Sequence, residues 1–313
     1  MNSLNKDNLL KFDVAIIGSG PAGLTCSIYA SRGNLSVCFI DKGAPGGKMT
    51  STYQIENWSG EENIKGYELS KKMLNHAKKL GAKSIFGNVI KIDSKSEFEH
   101  YVYLETGKVI QAKAIVIATG MNNKKPDIPK IDFYENKGVS YCVICDAAFY
   151  KNKPAAIIGG GDSAFEEAMY LASVASKVYI FVRKDKPKAE QIMVSEVMKQ
   201  ENIEILYNAE IVELFGETTL EKVKYIQNNE EHYLEINHLY PYIGFLPSNE
   251  FIKDLDIFDE YGFVITDENM KTKKDGIYAI GDIRRKSIKQ IVTAAADGAI
   301  AGKILTNKIN KII

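Results

Sequence analysis

Residues 140–150 read SYCVICDAAFY. Two thiols two residues apart, Cys142 and Cys145, with Asp146 directly behind them, can hold a metal, staple a loop or exchange electrons. Structural zinc wants four ligands, usually from two such pairs. No second CxxC exists, and the four histidines (His76, His100, His232, His238) are scattered, none of them near the pair. Cys26 and Cys38 fall in a predicted helix and a predicted strand and read as small core residues. A purely structural disulfide is disfavoured in a reducing compartment. Electron exchange is the reading that remains strongest. A CxxC pair closes a small disulfide ring, its attacking thiolate needs a lowered pKa, and Asp146 is placed to protonate a departing thiolate.

A dithiol that accepts two electrons needs a donor, and two glycine turns offer one. Residues 13–23 read DVAIIGSGPAG, with Gly18, Gly20 and Gly23 in GxGxxG spacing. The first glycine permits the tight turn, the second lets a pyrophosphate approach the backbone, and the third lets helix and strand pack closely. The helix N-terminus then presents free N–H groups to phosphate. Asp41 closes the following strand, where an acid can bond ribose hydroxyls. Residues 154–164 read PAAIIGGGDSA, with Gly159, Gly161 and Ala164 as GxGxxA. Here the following strand ends in Arg183 and Lys184, with Lys188 close behind. Cations at that point attract a 2′-phosphate, so NADPH is expected over NADH; the bland reading of RKDKPK is a solvated surface cluster.

The first turn, with its acid, suits FAD or NAD. The later stretch GIYAIGD (276–282) favours FAD, because a long cofactor needs a second segment to reach its ribityl chain. Asp282 there either accepts a ribityl hydroxyl bond or is an ordinary turn or cap aspartate.

The elements around these residues repeat. After each glycine turn comes a helical pattern (LTCSIYASRG; FEEAMYLASVAS) and then a second apolar strand (SVCFIDKG; KVYIFVRK). Both are βαβ units, which predicts two nucleotide-binding domains. Residues 65–80 carry helical spacing, 84–117 read as several short strands, and AIVIATG (114–120) is a buried strand. MNNKKPDIPK (121–130) and GFLPSN (244–249) read as linkers. A helical pattern, IKQIVTAAADGAIAGKIL, follows GIYAIGD.

With 313 residues the chain has room for two domains, and its net charge of zero gives no basic face for nucleic acid. No apolar run approaches the ~18 residues of a membrane span. The first residues, MNSLNKDNLLKFD, lack a secretory h-region, so the cytoplasm is expected.

Taken in order, GSGPAG, APGGKM, IEN, ATG, SYCVICD, GGGDSAFEEA, GIYAIGD and KQIVTAAADGAIA resemble the bacterial-type, low-molecular-weight thioredoxin reductases over nearly the whole chain. The resemblance implies an α/β fold of two Rossmann-like (three-layer ββα) domains. A discontinuous FAD domain (1–122 and 246–313) would receive an inserted NADPH domain (123–245) carrying the cysteines. It further implies domains that rotate relative to each other, a homodimer, and thioredoxin as the protein substrate. Cys145 would face the flavin, Cys142 would attack the thioredoxin disulfide, and Asp146 would be the acid/base. FAD contacts carry over to Gly18, Gly20, Pro21, Ala22 and Gly23, to Asp41, Lys42, Gly43, Ala44, Pro45, Gly46, Gly47 and Lys48, and to Asn57, Val89, Gly120, Asp282, Ile283, Gln290 and Ile291. NADPH contacts carry over to Gly159, Gly161, Asp162, Ser163, Ala164, Arg183, Lys184 and Lys188.

Four departures stand out. Ala147 replaces the glycine of CxxCDG, which costs about 1 kcal/mol if that position needs positive φ. The HRRxxxR that grips the 2′-phosphate is VRKDKPK here, keeping cationic character while losing the His and two Arg. Lys48 stands where Gln is usual, near the expected flavin, whose potential it could tune. Phe245 follows Gly244 where a polar residue is common. Two other readings stay open: a flavin-dependent dithiol reductase using NADH or serving a peroxiredoxin-type partner, and a non-catalytic flavoprotein sensing redox state through its cysteines.

Overall fold

The computed structural model describes residues 9–52, 54–147 and 151–311, with Cys145 described by its backbone alone. The chain forms two compact units. One comprises residues 1–122 with 247–313, the other residues 123–246.

In the first unit the run DVAII forms the central strand Leu9–Ile17. Its neighbours are parallel: Val37–Asp41 on one side and Val109–Ile117 on the other, with Lys83–Phe86 beyond the former and Ile277–Ala279 beside the latter. A run this apolar suits a strand covered on both faces. Alternate residues face opposite ways. Val14 and Ile16 meet a core that includes Leu24, Met73 and Leu305, from the helices Pro21–Arg32, Gly66–Lys79 and Ile291–Ile309. Ala15 and Ile17 meet the opposite core, with Val89, Val102 and Leu104 of the antiparallel strands Val89–Ser96 and Glu99–Leu104. Fully burying one such Leu or Ile is worth about 1.5–3 kcal/mol.

The first helix is held unusually close to the C-terminal one. A Cβ at Gly298 would lie 2.3 Å from the carbonyl oxygen of Ala22, and one at Gly302 would lie 2.7 Å from Cβ of Tyr29. The glycines thus let two helix backbones touch, and this fixes the helix end that faces the first glycine turn.

The second unit repeats the scheme. Four parallel strands run in the order Ile203–Tyr207, Lys177–Val182, Pro154–Ile158, His238–Pro241. Ala155 and Ile157 pack with Phe165, Ala168 and Leu171 of the helix Asp162–Ala172 and with Val194 and Val197 of the helix Gln191–Met198. Ala156 and Leu239 face the other way, onto Ile211, Leu214 and Val223 of the three-stranded antiparallel sheet 209–215, 222–227 and 230–235.

The second unit therefore stacks helices, a parallel sheet and a separate antiparallel sheet, while in the first the antiparallel strands continue the parallel sheet through Val109–Ile117 and add their residues to the core on its other face. The stretches read as linkers are more ordered than their composition implied. Met121–Asn123 and Phe245–Pro247 are short strands, and Lys124 N–H donates to the Gly244 carbonyl at 2.9 Å. Pairing between distant segments leaves no local trace in composition. Among the described residues no helix is long and apolar enough to cross a membrane.

Candidate functional site

The cysteine motif is a single helical turn, Val143–Asp146, anchored from below. Val143 and Ala147 are buried in the core beside Ala155, Ile157 and Phe165. Ala147 is not among the residues with positive φ, so the alanine that replaces glycine carries no backbone strain and contributes apolar packing instead. Ser140 ties the turn together. Its hydroxyl donates to Asp146 Oδ2, its oxygen accepts the Cys142 N–H at 3.2 Å, and its own N–H donates to the Leu239 carbonyl at 3.1 Å. Cys142 is half-buried. The side chain of Cys145 lies outside the described residues.

Beneath the turn sit buried titratable groups that motif reading missed. His238 is held neutral, its pKa drawn down to about 4 by burial against an opposing pull from Asp146, and its ring lies 4.7 Å from that of Tyr240. Glu167 on the helix Asp162–Ala172 is pushed up to about 8 by burial, with Glu166 adding to the shift; its Oε2 is buried without a hydrogen-bond partner. Tyr242 is raised, first by burial and then by Glu167, with the Val143 backbone opposing the shift. Ser140 was visible as the serine two residues before the motif. His238 and Glu167 left no signal, because only the packing of strand 238–241 against the turn gives them their neighbours.

The other two cysteines are free and buried. Burial alone pushes the Cys26 thiol up to about 12, and Cys38 is also strongly raised by burial, so both are inert core residues at neutral pH. Among the described residues no group of three or more His, Cys, Asp or Glu could hold a metal ion.

At the first glycine turn, Gly18 has φ +105° and a Cβ there would lie 2.3 Å from the Ala118 carbonyl oxygen. A Cβ at Gly23 would lie 2.0 Å from the Gly18 carbonyl oxygen, so the third glycine serves contact between helix and strand. At Gly20 a Cβ would meet nothing within 4 Å. The Gly20 backbone caps the helix that Pro21 opens, leaving an approachable helix N-terminus of the kind phosphate binds.

Asp41 is more occupied than its ribose role implied. Its Oδ2 accepts Ser19 N–H at 2.8 Å and the Ser19 hydroxyl at 2.5 Å, and its Oδ1 accepts Gly43 N–H at 3.0 Å. With roughly four acceptor sites on a carboxylate, about one remains for a ligand. The loop 42–48 folds back on the turn: Gly46 N–H donates to the Ser19 carbonyl, and a Cβ at Gly47 would lie 3.2 Å from the Gly20 Cα.

Gly281 comes to the same helix end, its Cβ position 2.9 Å from Cβ of Ala22. This brings Asp282 there too. Its Oδ1 is buried with no hydrogen-bond partner, and burial raises its pKa against the pull of Lys286, Lys289 and Lys48. That oxygen stands 3.9 Å from Lys286 Nζ, beside a phosphate-type helix end. Gln290 caps the C-terminal helix through Thr293 and accepts a bond from Asn57 Nδ2 at 3.3 Å. Val89 is buried at the start of its strand, Ile283 is fully buried, Ile291 is half-buried, and Gly120 has φ +64° with no atom within 4 Å of a Cβ.

The second glycine turn has the same form. Gly161 caps the helix opened by Asp162 and Ser163, a Cβ on Gly161 would meet nothing within 4 Å, and Ala164 packs against Gly159. Asp162 Oδ1 accepts the Glu190 N–H at 2.8 Å, so this acid is used inside the loop. Lys188 N–H donates to the Gly160 carbonyl at 2.6 Å, which carries Lys188 back to the turn. Arg183, Lys184 and Lys188 are all exposed.

Two units with a phosphate-type glycine turn each, one of them bearing a redox-type cysteine turn, define the class of two-nucleotide disulfide oxidoreductases. Residues 12–298 match the pyridine nucleotide-disulphide oxidoreductase family. The chain is 51% identical over 302 residues to a thioredoxin reductase of Mycoplasmopsis pulmonis, covering 96% of this chain and 98% of that one. It is 40% identical to the thioredoxin reductase of Bacillus subtilis, covering 96% of each. The crystal structure of Lactococcus lactis thioredoxin reductase superposes with a TM-score of 0.92 at 38% identity, covering 96% of this chain and 99% of that one. The chain belongs to the pyridine nucleotide-disulphide oxidoreductases, in their low-molecular-weight thioredoxin reductase branch.

Proposed function

We propose that this flavoprotein is an NADPH-dependent thioredoxin reductase that works through FAD and a Cys142–Cys145 disulfide in the cytoplasm, as a homodimer. The observation that carries the reading is the hydroxyl network of the redox turn. Ser140 holds both the Cys142 N–H and the Asp146 carboxylate, so nucleophile and acid/base are fixed to one atom.

The first unit is the FAD domain in this reading. Residues 18–23 bind its pyrophosphate, residues 41–48 and Gly120 line it, and Asp41 takes the adenosine ribose with its remaining acceptor site. Asp282, Ile283, Gln290, Ile291, Asn57 and Val89 take the other half; the buried Asp282 Oδ1, which makes no hydrogen bond, supports that placement. The second unit is the NADPH domain, with Gly159, Gly161, Asp162, Ser163 and Ala164 at the pyrophosphate and Arg183, Lys184 and Lys188 at the 2′-phosphate.

When bound, the flavin supplies the two-electron link between a nicotinamide hydride and the cysteine pair. The chain's own residues do the rest. Reduction opens the Cys142–Cys145 bond to a dithiol. The Cys142 thiolate attacks one sulfur of the thioredoxin disulfide, that bond breaks, and Asp146 protonates the departing sulfur. Cys145 then attacks Cys142 in the mixed disulfide, which releases reduced thioredoxin and restores the Cys142–Cys145 bond.

Ser140→Ala tests the carrying observation. It is expected to lower thioredoxin turnover at least tenfold while NADPH still bleaches the flavin. Unchanged turnover would remove the network from the mechanism.

A further inference from the structure

The turn that carries Asp282 is gripped from the C-terminal helix by one carboxylate. Asp297 Oδ2 accepts Gly281 N–H at 2.9 Å and Lys286 Nζ at 3.0 Å, and its Oδ1 accepts Arg284 Nη1 at 2.8 Å. Arg284 N–H in turn donates to the Gly281 carbonyl at 3.1 Å, and Arg284 Nε donates to Thr266 Oγ1 at 2.7 Å. Asp297 thus holds both ends of the turn 281–284. Lys289 Nζ adds two more bonds, to the Asp282 carbonyl at 2.7 Å and the Arg284 carbonyl at 3.2 Å. The backbone around Asp282 is fixed in this way, while Asp282 Oδ1 makes no hydrogen bond.

Lys286 decides whether that carboxylate stays open. Its Nζ has two carboxylates near it, Asp297 Oδ2 at 3.0 Å and Asp282 Oδ1 at 3.9 Å. Only the first is a hydrogen bond, and Thr293 Oγ1 accepts a second at 3.4 Å. The side chains of Lys286 and Asp297 are only 13% and 10% exposed, so leaving either charge unpaired is strongly destabilising. Asp282 is 27% exposed, so a ligand can reach its carboxylate.

Resting on the reading of Asp282 as an FAD ligand, we propose that Asp297 is a positioning residue for the cofactor. It pins the turn 281–284 and keeps Lys286 to itself, which leaves the Asp282 carboxylate to accept a hydroxyl of the FAD chain. It acts through Asp282 and need not touch the cofactor. An asparagine at 297 offers one acceptor oxygen and no charge. Lys286 would then close the 3.9 Å gap onto Asp282, and a ligand hydroxyl would have to displace an ammonium.

The test is release of flavin from the holoprotein on dilution, followed by the fluorescence of free flavin. Asp297→Asn is expected to release FAD about tenfold faster, the size of one hydrogen bond to a charged group. Lys286→Met removes the competing ammonium. Alone it should stay within about twofold of the wild type, and combined with Asp297→Asn it should restore slow release. In an Asp282→Ala background, Asp297→Asn should add less than about twofold, because its effect runs through Asp282; a merely structural role would add its full loss in either background. Unchanged release from Asp297→Asn, a full further loss on top of Asp282→Ala, or a double replacement as leaky as Asp297→Asn would each overturn the proposal.

If Asp297→Asn fails to fold, Lys286→Met alone and in combination with Asp297→Asn carries the test. Slow release from both is the expected result. Fast release from Lys286→Met would show that the ammonium itself holds the cofactor, and would overturn the proposal. Wild-type protein that purifies without FAD would refute the cofactor reading. FAD bound by the wild type and released no faster from Asp297→Asn would refute only the role of Asp297.

Discussion

Arg183→Ala is the sharpest probe of nucleotide choice. Arg183, Lys184 and Lys188 are exposed at the end of the strand that follows the second glycine turn. Because they are exposed, the water-like limit governs: two unit charges at ~4 Å interact by about 1 kcal/mol. A 2′-phosphate carries about −1.5 to −2 charge at neutral pH, as other phosphate monoesters do. Salt removes part of the gain, leaving about 1–1.5 kcal/mol for each cation, or roughly a five- to tenfold change in affinity. Arg183→Ala should therefore raise the KM for NADPH roughly five- to tenfold and leave that for NADH within about twofold. Arg183→Lys should sit between, since a lysine offers a point charge without the guanidinium fork. Combining Arg183→Ala with Lys188→Ala should multiply the losses and flatten the salt dependence of NADPH binding. The assay is anaerobic flavin reduction by each nucleotide, at low and at high salt. Equal losses for NADPH and NADH, or no loss for either, would refute the 2′-phosphate assignment.

Cys142→Ser should abolish thioredoxin reduction while NADPH still bleaches the flavin; full turnover in this variant would put the nucleophile elsewhere. Asp282→Ala should weaken FAD retention about tenfold or more, the loss expected when a bond to a charged group is removed, as read by flavin release on dilution. FAD held as tightly as before would contradict the role given to Asp282. Glu167 supplies a pH test of the fold. A carboxyl whose folded pKa is raised to about 8 binds a proton that the unfolded chain releases near 4.5, so stability falls as pH rises between those values. Glu167→Gln removes the proton cost, so its gain in Tm over wild type should grow from pH 5 to pH 8. A gain independent of pH would show that Glu167 is not held protonated.

Much of this architecture was legible because its causes are local. The runs DVAII and PAAII, each feeding a glycine turn and a helical pattern, dictate two βαβ units, and Gly18, Gly23 and Gly159 sit where a side chain would strike backbone or the next helix. The difference between Asp41 and Arg183 at matching strand ends was equally plain. What stayed hidden depends on contacts between distant segments. Asp41 was read as a ribose acid, yet most of its acceptor capacity holds Ser19 and Gly43. Ala147 looked like a liability in the cysteine motif until its ordinary backbone and buried methyl were seen. His238 and Glu167 carry no motif at all; strand 238–241 and helix 162–172 place them beneath the redox turn. The clustering of Lys48 with Lys286 and Lys289 likewise joins segments more than two hundred residues apart.

The most direct test is an anaerobic titration of the purified protein, with flavin absorbance followed as NADPH and then oxidised thioredoxin are added. Fast bleaching by NADPH, with the colour restored by thioredoxin in the wild type but not in Cys142→Ser, is the predicted result. Bleaching by NADH alone would contradict the assignment of Arg183, Lys184 and Lys188. Bleaching that thioredoxin cannot reverse would contradict the electron path through Cys142.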